Sequence, residues 1–185
     1  VSITGTNTFN NNQYGIGISA DAGNSVDLEN VTANDNAAGA DLTTTSGGIS
    51  ITGGTNVFNN NDETGLSIDS NGHDVDLENI EAGGNGAGGV FGNGADITSG
   101  NLSLTGTNTF SDNHHGTGLL VDSSGSVDLE NVTANTNIVG VDLTLSGSLS
   151  ITGTNVFSEN YGTGLYVDAG GDIYAENITA EKNGL

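Results

Sequence analysis

The phrase Ser150-Ile151-Thr152-Gly153-Thr154-Asn155-Val156-Phe157 returns almost letter for letter at 2–9, 50–58 and 103–110. A second phrase, Val127-Asp128-Leu129-Glu130-Asn131-Val132, falls between the copies and is matched at 26–31, 75–80 and 173–178. The pair recurs about every 48 residues, so one structural unit is about half of that, inside the range of stacked solenoid repeats. A unit this short cannot bury an apolar face alone. It must stack on its neighbours.

The chain divides into alternating coils of two kinds. The first kind covers about 1–24, 49–73, 102–125 and 149–171; the second covers about 25–48, 74–101, 126–148 and the incomplete 172–185. Inside each coil the apolar residues alternate with polar ones, the signature of a half-buried strand. Ile151, Leu165 and Val167 face in, with Ile51, Leu66, Ile68, Leu104, Leu119 and Val121 as equivalents. Ile18 and Ala20 make a weaker set in the first coil. In the second kind of coil the inward set is Val127, Leu129, Val141 and Leu143. No stretch of useful length carries a 3.6-residue period, so essentially no helix is expected. Stacking in register pairs each strand in parallel with its counterpart on the next coil, about 4.8 Å away. Right-handed winding is the default for such connections. The expected fold is all-β: a single right-handed parallel β-helix of seven to eight coils, roughly 22–27 residues each and on the order of 35 Å long. Residues 1–185 form one continuous solenoid in this reading.

Asparagine recurs at the corners. Asn7, Asn56, Asn108 and Asn155 lie two residues before Phe9, Phe58, Phe110 and Phe157, and Asn30, Asn79, Asn131 and Asn177 take the corresponding corner of the other coils. Asn tolerates the left-handed backbone of a tight corner, and stacked amides hydrogen-bond along a column. Asn30, Asn131 and Asn177 also read as glycosylation sequons, but a ladder suffices to explain them.

These two phrases resemble the right-handed parallel β-helix repeats of pectate-lyase-like solenoids. They are closest to the long Asn/Gly/Thr-rich repeats of secreted bacterial surface fibres and adhesins. The resemblance spans the whole chain. It implies an extracellular, cell-surface role as a structural or adhesive filament segment, with carbohydrate binding or cleavage by residues outside the segment as the alternative.

The charge is lopsided: 23 acidic residues against a single Lys182, a formal net charge of −22. That argues against nucleic acid and anionic membrane as partners, because both select for Lys and Arg. No apolar run approaches the roughly 20 residues of a membrane helix, so no membrane insertion is expected. Within the acid there is a pattern. Asp21, Asp69, Asp122 and Asp168 occur only in first-type coils, with Thr144 and Thr45 taken as their uncharged counterparts. Glu29, Glu78, Glu130 and Glu176 are expected to alternate with Thr6, Thr55, Thr107 and Thr154. Like charges in a column then sit about 10 Å apart, near one Debye length at physiological salt.

No enzymatic activity is expected of this segment, and no catalytic, cofactor-binding or metal residue is assigned. The lyases of this fold, which the repeats resemble, pair Ca²⁺ with a Lys or Arg; this chain has no Arg. Ca²⁺ through Asp74 and Asp76 is the one metal candidate. His114 and His115 share a turn and His73 stands alone, with no cysteine to complete a zinc set. Tyr161, Tyr166 and Tyr174 gather near the end, the last two pointing outward. The Thr4, Thr52, Thr105 and Thr152 column suggests an ice-binding array, which Asp27, Asp76 and Asp128 are expected to interrupt. The repeat symmetry breaks at 82–101, where a Gly-rich stretch lengthens one coil by about five residues and is read as a tolerated loop or a partner contact. Val1 lies inside a repeat phrase and the final phrase stops partway, as in a segment of a longer chain. The expected partners are other coils of the same kind, end to end, and a surface glycan or another cell.

Overall fold

A computed structural model describes residues 1–184, which contain β-strands and no helix. The strands form three parallel sheets, of eight, eight and seven strands. Sheet A takes Ser2–Ile3, Val26–Glu29, Ile49–Thr52, Val75–Glu78, Leu102–Thr105, Val127–Glu130, Leu149–Thr152 and Ile173–Ala175. Sheet B takes Asn7–Thr8, Val31–Thr32, Asn56–Val57, Ile80–Glu81, Asn108–Thr109, Val132–Thr133, Asn155–Val156 and Ile178–Thr179. Sheet C takes Ile16–Ala22, Ala38–Thr44, Leu66–Asp69, Ala95–Ser99, Thr117–Ser123, Val139–Leu145 and Leu165–Ala169. Each turn gives one strand to each sheet in the order A, B, C. Seven full turns, numbered here as levels 1–7, are followed by the A and B strands of level 8. The chain is a parallel β-solenoid.

The period-two pattern places the core. In sheet A, Leu28, Ile51, Leu77, Leu104, Leu129 and Ile151 pair level to level and are all buried. Leu42, Ile68, Ile97, Val121 and Leu143 do the same in sheet C. Each inward side chain lies about 4.8 Å above its equivalent, so one apolar cylinder runs the length of the rod.

The two-coil period has a steric cause. Phe9, Phe58, Phe110 and Phe157 alternate along one column with Ala33, Ala82 and Ala134, linked by backbone bonds from level to level. Phe58, Phe110 and Phe157 are fully buried. Rings on every level would lie only about 4.8 Å apart, whereas an alanine between them leaves each ring the depth of two levels. A second alternation sits beside it: Asn7, Asn56, Asn108 and Asn155 stand in register with Val31, Ile80, Val132 and Ile178. Asn56 accepts from the Val31 N–H one level below (3.0 Å) and donates to the Glu78 carbonyl one level above (3.0 Å).

This corrects the expected Asn corner. Left-handed backbone occurs at Asn30, Asn79, Asn131 and Asn177 (φ 49 to 53°), and their counterparts are Gly5, Gly53, Gly106 and Gly153 (φ 77 to 99°). The Asn7 series lies outside that left-handed set. It sits past the bend with its amide turned inward, because the first-type corner is at least one residue longer. The two Asn sets therefore form two columns, not one.

Candidate functional site

The most regular polar feature lies inside the corner between sheets B and C. Asn12, Asn36, Asn61, Asn85, Asn113, Asn137, Asn160 and Asn183 form a ladder with one rung on every level. Each backbone N–H donates to the side-chain Oδ1 one level up, at 2.9–3.0 Å. The Nδ2 groups donate to the carbonyls of Phe9, Ala33, Ala82, Phe110, Ala134 and Phe157. Asn36, Asn61, Asn113, Asn137 and Asn160 are buried. A buried amide without such partners would cost about 1–3 kcal/mol, so the ladder also fixes register.

Against this ladder lies a glycine on every complete level: Gly17, Gly39, Gly65, Gly94, Gly118, Gly140 and Gly164. None has positive φ. The constraint is space: a Cβ on Gly118 would stand 2.5 Å from the Phe110 carbonyl oxygen, 2.6 Å from that of Gly140 and 2.7 Å from Asn137 Nδ2. Between the ladder Asn and this Gly the turn holds two to four residues on six levels and eight on level 4.

The outward columns carry the charge, with part of the expected pairing revised. In sheet C, Asp21, Thr43, Asp69, Thr98, Asp122, Thr144 and Asp168 follow one another. The alternation is as expected at Thr144, but the second-level partner is Thr43 and not Thr45, which lies in the following turn. Two residues away, Ser19, Asp41, Ser67, Asp96, Leu120, Asp142 and Tyr166 alternate in the opposite phase. In sheet A, Glu29, Glu78 and Glu130 pair with Thr52, Thr105 and Thr152, not with the Thr55 series, which sits beyond the Gly corner. Asp27, Asp76 and Asp128 face Ser50, Ser103 and Ser150. The Thr column is thus interrupted by Glu rather than by Asp. Glu29, Glu78 and Glu130 also accept the Gly5, Gly53 and Gly106 N–H groups from the level below, at 3.2–3.3 Å.

The individual candidates fall apart in space. Asp74 and Asp76 are exposed, and Asp74 Oδ1 already accepts from Asn101 Nδ2 (2.9 Å). Among the described residues no three His, Asp or Glu side chains converge as a metal site would require. His114 and His115 are exposed and His73 is half-buried in its turn. Tyr161, Tyr166 and Tyr174 are exposed, and the Tyr174 hydroxyl donates to Glu176 Oε2 (2.9 Å). Lys182 pairs with Glu159 at 2.8 Å and holds that carboxyl below its usual range. Tyr14, not singled out by the repeat, is the most exposed of the large hydrophobic side chains among the described residues (99 %). It walls a groove of about 330 Å³ with Ala37, Ala38, Asp41, Glu63 and Asp96. Burial raises the Asp96 carboxyl above its ordinary value, against a smaller opposing effect of the Asn93 hydrogen bond. The insertion protrudes at the same corner, exposing Val90 and Phe91.

No family model, curated protein or solved structure matches this chain. Its geometry offers hydrogen-bonding columns that repeat along an axis and an acidic exterior.

Proposed function

We propose that this chain is a structural segment of an extracellular bacterial surface filament or adhesin, serving as a stiff shaft. One observation carries the reading: the residues that recur on every level, the Asn ladder and its Gly column, are used to join one level to the next. The outward acidic columns support it as well, since they keep neighbouring rods apart and soluble. The axial partner in this reading is further coils of the same geometry, because every strand between the ends pairs in parallel with its equivalent on the next level. With Lys182 as the single Lys or Arg, the shaft also offers almost no site for trypsin-like cleavage.

The test is immunogold labelling of intact native cells with antibodies to exposed turns such as 87–91. Label along surface fibres is expected. Label confined to the cell interior would overturn the proposal.

A further inference from the structure

Three sets of polar side chains recur along the rod, and each loses a hydrogen bond on the same level. In the inner Asn ladder, Asn85 is the one buried member whose Nδ2 finds no partner. In the column at the end of sheet C, the hydroxyls of Thr44, Ser70 and Ser123 donate to the carbonyls of Gly47, His73 and Gly100. Ser99, in register with Ser123 and equally buried, has no partner. In the outer ladder, Asn10, Asn34 and Asn59 accept the backbone N–H of the level above, as do Ser111, Asn135 and Ser158. Between them stands Gly83, with no side chain to receive Ser111. Asn85 and Ser99 are the only unpartnered buried side-chain groups among the described residues. The eight-residue turn falls on this level too.

We infer that level 4, residues 74–101, is a built-in weak level at which the rod opens before either half does. In a solenoid each level contacts only its neighbours, so stability is close to a sum of level and interface contributions. A level that leaves two buried polar groups unpartnered and lacks one outer rung lowers its own contribution and weakens its interfaces. Levels 1–3 and 5–8 then behave as two cooperative blocks joined by a compliant element. A shaft under tension would yield there and keep both blocks folded.

Native-state amide hydrogen exchange on the intact chain tests this, with Ser-to-Ala variants as a signed control. Level 4 amides are expected to exchange at least about tenfold faster than their equivalents on levels 3 and 5. Ser99→Ala removes a buried hydroxyl that has no partner, so it should slow level 4 exchange by about threefold or more. Ser70→Ala and Ser123→Ala remove bonded hydroxyls and should speed exchange on their own levels. Apolar residues already fill this column at Ala22, Leu145 and Ala169, so alanine is accommodated there, and an unchanged far-ultraviolet circular dichroism spectrum checks that each variant is folded. Equal protection on levels 3, 4 and 5, or a Ser99→Ala effect of the same sign as the other two, would overturn the inference.

Discussion

Replacing Gly118 by alanine adds one methyl group where three polar backbone and amide atoms already converge. The added carbon would lie 2.5 Å from the Phe110 oxygen and 2.6 Å from the Gly140 oxygen, both backbone atoms fixed by inter-level bonds. Overpacking of this kind costs about 1–3 kcal/mol. The third neighbour, Asn137 Nδ2, donates to the Phe110 carbonyl at 2.9 Å and to Asn160 Oδ1 at 3.2 Å. Pushing it aside leaves buried polar groups unpaired at a further cost of about 1–3 kcal/mol. The sum is about 2–6 kcal/mol, concentrated on levels 5 and 6. Gly15 provides the control, because its added Cβ would meet nothing within 4 Å and its φ is not positive. There, alanine should stabilise by about 0.4–1 kcal/mol through the unfolded chain alone. Urea unfolding followed by circular dichroism, with amide exchange to locate the loss, reads both. A difference of less than about 1 kcal/mol between Gly118→Ala and Gly15→Ala would show that close approach does not require glycine at 118.

Phe110→Ala should cost about 3–5 kcal/mol, since the ring is fully buried with an alanine level on either side; an unchanged urea midpoint would contradict the Phe/Ala packing. Asp96→Asn should raise the melting temperature at neutral pH and not at about pH 3. The sign follows from burial: a folded-state pKa above the unfolded value makes the charged form a burden that grows as pH rises from the unfolded pKa through the folded one. An equal gain at both pH values would show that desolvation of the carboxylate is not the cause. Thr43→Asp and Thr144→Asp each place a carboxylate directly between two others in one column. Their destabilisation should shrink when salt is raised from about 0.01 M to 1 M, as the Debye length falls from about 30 to 3 Å. A loss independent of salt would remove the electrostatic reading of that alternation.

Much of this was legible in the chain itself, and the reasons are local. The near-identity of 150–157 with its copies, with Ile, Leu and Val two apart, leaves parallel stacking as the one way to bury those faces. The alternation of Asp122 and Asp168 with Thr144 could be read because it sits inside strands, where register is rigid. The Glu29 pairing could not, because the corner between Thr and Asn differs in length between the two coil types. Counting from the Asn side leads to Thr55; the sheet pairs Thr52. The inner ladder was hidden for a related reason. Asn36, Asn61 and Asn113 each lie three residues after Ala33, Phe58 and Phe110, a fixed offset that was available. Yet the next turn varies from two to eight residues, which blurs any alignment built on period alone. Tyr14 gave no signal, since exposure at a turn depends on what the neighbouring levels lack. The defects of level 4 are likewise relational: Ser99 looks like Ser123 until their partners are compared.

In the proposed function, the residues that recur on every level stack it on the next in a continuous shaft. Cryo-electron microscopy of the native material, with the chain located in it by mass spectrometry, is the test. A continuous rod with an axial repeat of about 4.8 Å, doubled to about 9.6 Å by the Phe/Ala alternation, is the predicted result. Short isolated rods attached to a globular head, with no continuation of the repeat, would contradict it.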